Sequence, residues 1–349
     1  MESKQINPRW GEPKITPLQD PIGEFNAREG LDLSYYQAMV EHLDAAHPHR
    51  GKADWERIKG SLPPYELGQD PTSLQKLRIQ RFNWPPNQEE LGDIPVTVIN
   101  SPFSVPLDLP HIEYQNYLLA EAIGSPVLFI ENPGYGDSDK LTDEQKEDLR
   151  SGDFHKVSDS MLGIIAALGA KKINTVGYSM GSELAAAIAA GAASHQLEVE
   201  SVFIMESPRM EKQHPLALAR NFAADANNLK FAWQHPVDPV LRETAELKLG
   251  LPKGLFTYGM ALFRGGIKND LEAALQTQPT MRLTIANAGA STISSSKANS
   301  SVYDELKQKY PRHSINRIVM PGESHAFKDN GPRFADLVGF ILKKISYQA

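Results

Sequence analysis

From about Leu74 onward the chain alternates between short apolar runs and amphipathic stretches. Leu77 to Phe82, LRIQRF, switches between apolar and polar with the period of two expected of a half-exposed strand. Five later runs are short, β-branched or apolar, and bounded by turn residues: PVTVI (95–99), SPVLFI (125–130), KINTVG (172–177), SVFIM (201–205) and SINRIVM (314–320). They predict buried strands. Pro279 to Ala286, PTMRLTIA, predicts a further strand. Helical spacing marks Tyr114–Ile123, Asp153–Leu168 and the Ala-rich Met180–Ala193, and Ala335–Ile345 closes the chain as a helix. Strand and helix in alternation predict an α/β fold, a mostly parallel central sheet with helices on both faces.

Two segments break the alternation. Residues 208–278 hold no convincing strand but many large apolar groups at helical spacing, among them Leu216, Leu218, Phe222, Phe231, Trp233, Leu241, Leu255, Phe256, Met260 and Phe263. They read as a helical cap inserted between two strands, and the mouth of the sheet is the surface most available to bury them. Residues 1–74 are rich in Pro, Asp and Glu and read as an N-terminal extension packing on the core. Within them, Leu33, Tyr36, Val40 and Leu43 predict one helix over Asp32–Ala46. His42, His47 and His49 lie close together without a carboxylate pattern, so a solvated helix end is preferred over a metal site. The core proper is then 75–207 with 279–349.

Composition narrows the classes. The 349 residues carry 36 Lys+Arg against 43 Asp+Glu, a formal net charge of −7. This balance lacks the basic face of a nucleic-acid binder. With no cysteine there is neither a disulfide framework nor a thiol nucleophile. No run approaches the roughly 20 apolar residues of a bilayer span, and MESKQINPRWGEPK is not a signal peptide. A soluble, cytoplasmic protein is expected. Phosphate-loop, dinucleotide, zinc-protease and EF-hand motifs are not found, so no cofactor and no metal are expected. Oligomeric state is not legible.

Chemistry concentrates at Gly177-Tyr178-Ser179-Met180-Gly181, between the strand KINTVG and the Ala-rich helix. So abrupt a strand-to-helix turn strains its middle residue, and flanking glycines let the two arms pass closely. The serine hydroxyl then stands above the sheet edge. The amide of Met180, at the helix N-terminus, points where an oxyanion would form. A serine needs an adjacent base, and a histidine suits that task near neutrality. Among ten histidines, only His325 lies in a Gly- and Ser-containing loop just past a buried strand and C-terminal to the serine. Loops after parallel strands gather at one sheet edge, so the two can meet.

These features resemble the α/β-hydrolase superfamily over about three-fifths of the chain. GYSMG is similar to its nucleophile elbow, ENPGYGDSD (131–139) to the glycine-rich turn after its fourth strand, and PGESHAF (321–327) to its histidine loop. The resemblance implies an α/β-hydrolase fold with Ser179 as nucleophile and His325 as base. The family's usual acid position has no match, because no Asp or Glu occurs between Leu283 and Tyr303. A recurrent family variant places the acid one strand earlier, which implies Glu206. Asp304, Glu323 and the neutral Asn287 are weaker choices, and Glu206 could instead pair with Arg209. The second oxyanion donor belongs in the loop after PVTVI. Pro102 has no N–H, so Phe103 is chosen, with Ser101 behind it.

The function expected is a serine hydrolase acting on a small-molecule carboxylic ester with an apolar acyl or alcohol group, through an acyl-enzyme. Peptidase or amidase, lactonase and C–C hydrolase activity on the same residues are alternatives, as is a non-catalytic binding protein of the same fold.

Overall fold

A computed structural model describes residues 52–92, 94–103, 106–232, 255–320, 323–329, 334–335, 337–339 and 341–342. The helix expected over Asp32–Ala46 and the histidines at 42, 47 and 49 lie outside them. Eight described strands form one sheet: β1 (Tyr65–Gln69), β2 (Lys76–Phe82), β3 (Val96–Asn100), β4 (Val127–Ile130), β5 (Lys172–Tyr178), β6 (Glu198–Met205), β7 (Arg282–Ala288) and β8 (Ile315–Met320). Their spatial order is β1-β2-β4-β3-β5-β6-β7-β8. β1 pairs antiparallel with β2 and β2 with β4, and every later pairing is parallel.

Nine described α-helices connect them: α1 (Lys52–Ile58), α2 (Pro110–Ile123), α3 (Asp143–Ser151), α4 (His155–Ala167), α5 (Met180–Gly191), α6 (Pro215–Ala232), α7 (Leu255–Leu262), α8 (Ile267–Thr277) and α9 (Ser296–Lys309). Alternate residues of the central strands feed two cores, as the strand period requires. Val98, Ile173, Val202, Ile204 and Leu283 pack with α4, α5 and α8 on one face. Ile99, Val176, Phe203, Met205 and Ala286 pack with α2 and with Leu337, Val338 and Ile341 on the other. The described residues of the closing segment are helical. No described helix is long and apolar enough to cross a membrane.

Four details differ from the sequence reading. The sheet begins at Tyr65, inside the segment read as an extension, because β1 supplies an edge strand to β2. β2 is not half-exposed: Arg78 and Gln80 are buried with Leu77 and Ile79, since β2 lies between β1 and β4 and its polar groups find internal partners. α3 is an additional helix, opened by a capping box in which Thr142 accepts from the amide of Gln145 while the Gln145 side chain accepts from the amide of Thr142. Lastly, α8 lies within the segment read as a cap yet packs on α5. Two parallel neighbours need a crossover, and α8 is the last helix of the one joining β6 to β7.

Candidate active site

β5 and β6 run side by side and end in register at Tyr178 and Met205. The next residue on each has a positive φ: Ser179 has φ 55° and Glu206 φ 56°. Such sparsely populated backbone costs a non-glycine residue about 1–3 kcal/mol, so each position is held by its surroundings. At the first, the Ser179 amide donates to the Met205 carbonyl at 2.8 Å. The Ser182 hydroxyl accepts from the Met205 amide at 3.1 Å and donates to the Met205 carbonyl at 2.7 Å. The glycines are dictated by close approach. A Cβ on Gly177 would lie 2.0 Å from the Gly181 carbonyl oxygen, and one on Gly181 would lie 2.2 Å from that of Asn100.

Ser179 therefore stands at the start of α5, with Met180 opening the helix. His325 arrives from the segment after β8. Its Nε2 lies 3.1 Å from Ser179 Oγ and its Nδ1 lies 3.0 Å from Glu206 Oε2. The other oxygen of Glu206, Oε1, accepts from the Ala288 amide at 2.5 Å, and the Glu206 amide donates to Ala286 O at 3.0 Å. All three residues are buried. The imidazole is flanked by rings: Tyr178 at 5.4 Å between centroids, and Phe222 of α6 edge-on at 5.8 Å. The Tyr178 hydroxyl donates to the backbone carbonyl of His325 itself.

The structure thus brings together Ser179, His325 and Glu206. Two of the other candidates are engaged elsewhere. Asn287 donates instead to Ser296 Oγ at 2.6 Å. Asp304 lies in α9 beside Ser300. Arg209 does not pair with Glu206; its guanidinium reaches Glu183, 3.4 Å away. Phe103 sits in the loop after β3 with its ring 6.4 Å from that of Phe222. Trp233 and Leu241 of the expected cap lie outside the described residues. A pocket bordered by Ser101, Leu107, Asn116 and Tyr178 opens beside the elbow.

Two buried ion pairs near the site escape a reading along the sequence. In the turn ENPGYGDSD, Glu131 is fully buried and takes both arms of the Arg78 guanidinium, at 2.6 and 2.9 Å. This explains one glycine: at Gly136, with φ 44°, a Cβ would lie 2.1 Å from Arg78 Nη2. The other pair is Glu183 with Arg209. Burial pushes the Glu183 carboxyl up to about 7, against the pull of Arg209 and of the Ser207 hydroxyl. Arg78 inside an alternating strand, and a lone Glu inside an Ala-rich helix, were the available signals. No described group of three or more His, Cys, Asp or Glu could hold a metal ion.

Residues 107–325 match a family model described as alpha/beta hydrolase fold. No curated protein matches the sequence. Among solved structures, the chain is similar to the enol-lactonase from Burkholderia xenovorans LB400, with a TM-score of 0.57 and 13% identity over 80% of this chain and 100% of that one. It is similar to the bromoperoxidase from Bacillus anthracis at 0.54 and 15%, again over 80% and 100%. A carboxylesterase structure from Nitrososphaera gargenis matches at 0.53 and 14%, over 82% and 100%. At such identities the likeness is one of fold. The family model spans more than half of the sequence, and the chain belongs to the alpha/beta hydrolase family.

Proposed function

We propose that the protein is a serine hydrolase that cleaves small carboxylic esters through an acyl-enzyme. The observation that carries this reading is the continuous chain Ser179 Oγ, His325 Nε2, His325 Nδ1, Glu206 Oε2, with links of 3.1 and 3.0 Å. In it, Ser179 attacks the ester carbonyl as His325 Nε2 takes its proton. Glu206 keeps the other ring nitrogen protonated and stabilises the imidazolium that forms. The amides of Met180 and Phe103 hold the oxyanion. The imidazolium then protonates the leaving alcohol. Water, activated by the same histidine, releases the acid.

Substrate preference is read from the surroundings. α6 and α7 act as the cap, and Phe103 and Phe222 present aromatic surface next to the imidazole. An apolar acyl or alcohol group fits such walls better than a charged one.

The test is labelling with a fluorophosphonate probe, followed by turnover of p-nitrophenyl esters, a lactone panel and aminoacyl-anilides. Labelling that disappears in Ser179→Ala, with turnover of the esters above the anilides, is the expected result. A folded wild-type protein that takes no label would leave a binding protein of the same fold as the better reading.

A further inference from the structure

Ser179 and Glu206 hold equivalent places in the sheet, each one residue past a paired strand end and each with a positive φ. Ser182 secures the first bend. The loop that carries the second, residues 206–209, is secured by groups with no part in the proton relay. The Arg209 amide donates to Ser207 Oγ at 3.1 Å, and that hydroxyl donates to Glu183 Oε1 at 2.5 Å. The Arg209 side chain is buried, and two of its three nitrogens donate hydrogen bonds. Its Nε and Nη2 donate to the Gly265 carbonyl at 2.8 and 2.5 Å, and Nη2 also donates to the Gly152 carbonyl. Its Nη1 faces Glu183 Oε2 at 3.4 Å, and its plane lies 5.1 Å over the ring of Phe154.

Glu183 lies in the first turn of α5, four residues after Ser179, which stands at the N-terminus of that helix. Ser207 and Arg209 follow Glu206 by one and three residues. Their joint grip on Glu183 therefore ties the acid's loop to the nucleophile's helix. The backbone has made room for the guanidinium: a Cβ at Gly266 would lie 2.8 Å from Arg209 Nη2. The other charged group facing Glu183 is Asp270 of α8, which pairs with His155 at 2.9 Å.

We propose that Arg209 is a positioning residue for Glu206: through Glu183, Gly152 and Gly265 it clamps loop 206–209 so that the carboxylate stays within hydrogen-bond reach of His325. The proposal rests on the serine hydrolase reading above. A lysine cannot replace this arginine, because one ammonium cannot reach two carbonyls and a carboxylate in a planar fork.

The experiment uses the full chain with Arg209→Met, Arg209→Lys and Glu183→Gln, each checked for folding by thermal unfolding. One readout is the rate of fluorophosphonate labelling of Ser179. The other is the downfield proton resonance of the His325 Nδ1–H, assigned by its loss in Glu206→Gln. In Arg209→Met, labelling should slow by about 10- to 100-fold, as for small displacements of a catalytic group, and the resonance should move upfield or broaden away. Arg209→Lys should behave likewise, and Glu183→Gln should show a smaller change in the same direction. A purely structural role would lower the unfolding temperature and leave rate and resonance intact. That result in folded Arg209→Met, or in Glu183→Gln should the first not fold, overturns the proposal. Absence of labelling in the wild type overturns the hydrolase reading and the proposal with it. Wild-type labelling that Ser179→Ala abolishes and the clamp variants leave unchanged overturns the clamp alone.

Discussion

Replacing Glu206 by Gln removes one charge and keeps the shape, so its effect can be worked from two contacts. The Ala288 amide donates to Oε1, and Oε2 faces His325 Nδ1 at 3.0 Å. In the variant the amide oxygen must stay on Ala288, because an NH2 there would oppose an N–H. The NH2 then faces Nδ1 and turns it into an acceptor. The ring proton moves to Nε2, the atom that should receive the proton of Ser179. Beyond the wrong tautomer, the imidazolium loses its counter-charge. With charge centres about 4 Å apart and an effective dielectric near 20, that attraction is about 4 kcal/mol, which corresponds to about a thousandfold in rate. The expected outcome is a fall in kcat of about 10³ or more on a p-nitrophenyl ester, with KM little changed. Steady-state kinetics beside circular dichroism and thermal unfolding would measure it. A folded Glu206→Gln protein that loses less than about tenfold would refute the assignment of the orienting carboxylate.

Three further outcomes follow from buried groups. Glu183, held up at about 7 against an ordinary 4.5, keeps in the folded state a proton that the unfolded chain releases. Its contribution is complete below about pH 4.5 and is lost as pH rises to about 7, by ~3 kcal/mol. Glu183→Gln should flatten that decline in urea midpoints measured between pH 4.5 and 7.5, and parallel slopes would contradict it. Gly181→Ala forces a Cβ to within 2.2 Å of a backbone oxygen and should cost about 3 kcal/mol or more of unfolding free energy; a neutral result would mean the elbow can relax. Arg78→Met strands the buried Glu131 carboxylate and should destabilise by about 3–5 kcal/mol in the same assay, with Arg78→Met/Glu131→Gln recovering part of the loss. A single variant as stable as the wild type would show that Glu131 is neutralised another way.

How far the amino-acid sequence discloses the fold and the site depends on the range of each signal. Local periodicity carried the parallel strands and most helices, because side-chain period and turn chemistry act over a few residues. The elbow was legible for the same reason: Gly177, Ser179 and Gly181 meet their constraints within five positions. His325 was legible from its place after a strand. β1 was not, because YELGQ has a single large aliphatic residue, Leu67, and that residue is exposed; only pairing with β2 makes it a strand. α3 could have been found from Thr142 and Gln145.

The amino-acid sequence by itself thus determined the α/β layering and the candidate nucleophile and base. Glu206 came only through family resemblance, and its distance to the imidazole needed the tertiary structure. That structure alone decided that Arg78 belongs to Glu131 and Arg209 to Glu183 rather than to its near neighbour Glu206. The physical reason is desolvation: a buried charge must be paired, and which partner is within reach depends on where segments tens of residues apart cross, not on their separation along the chain.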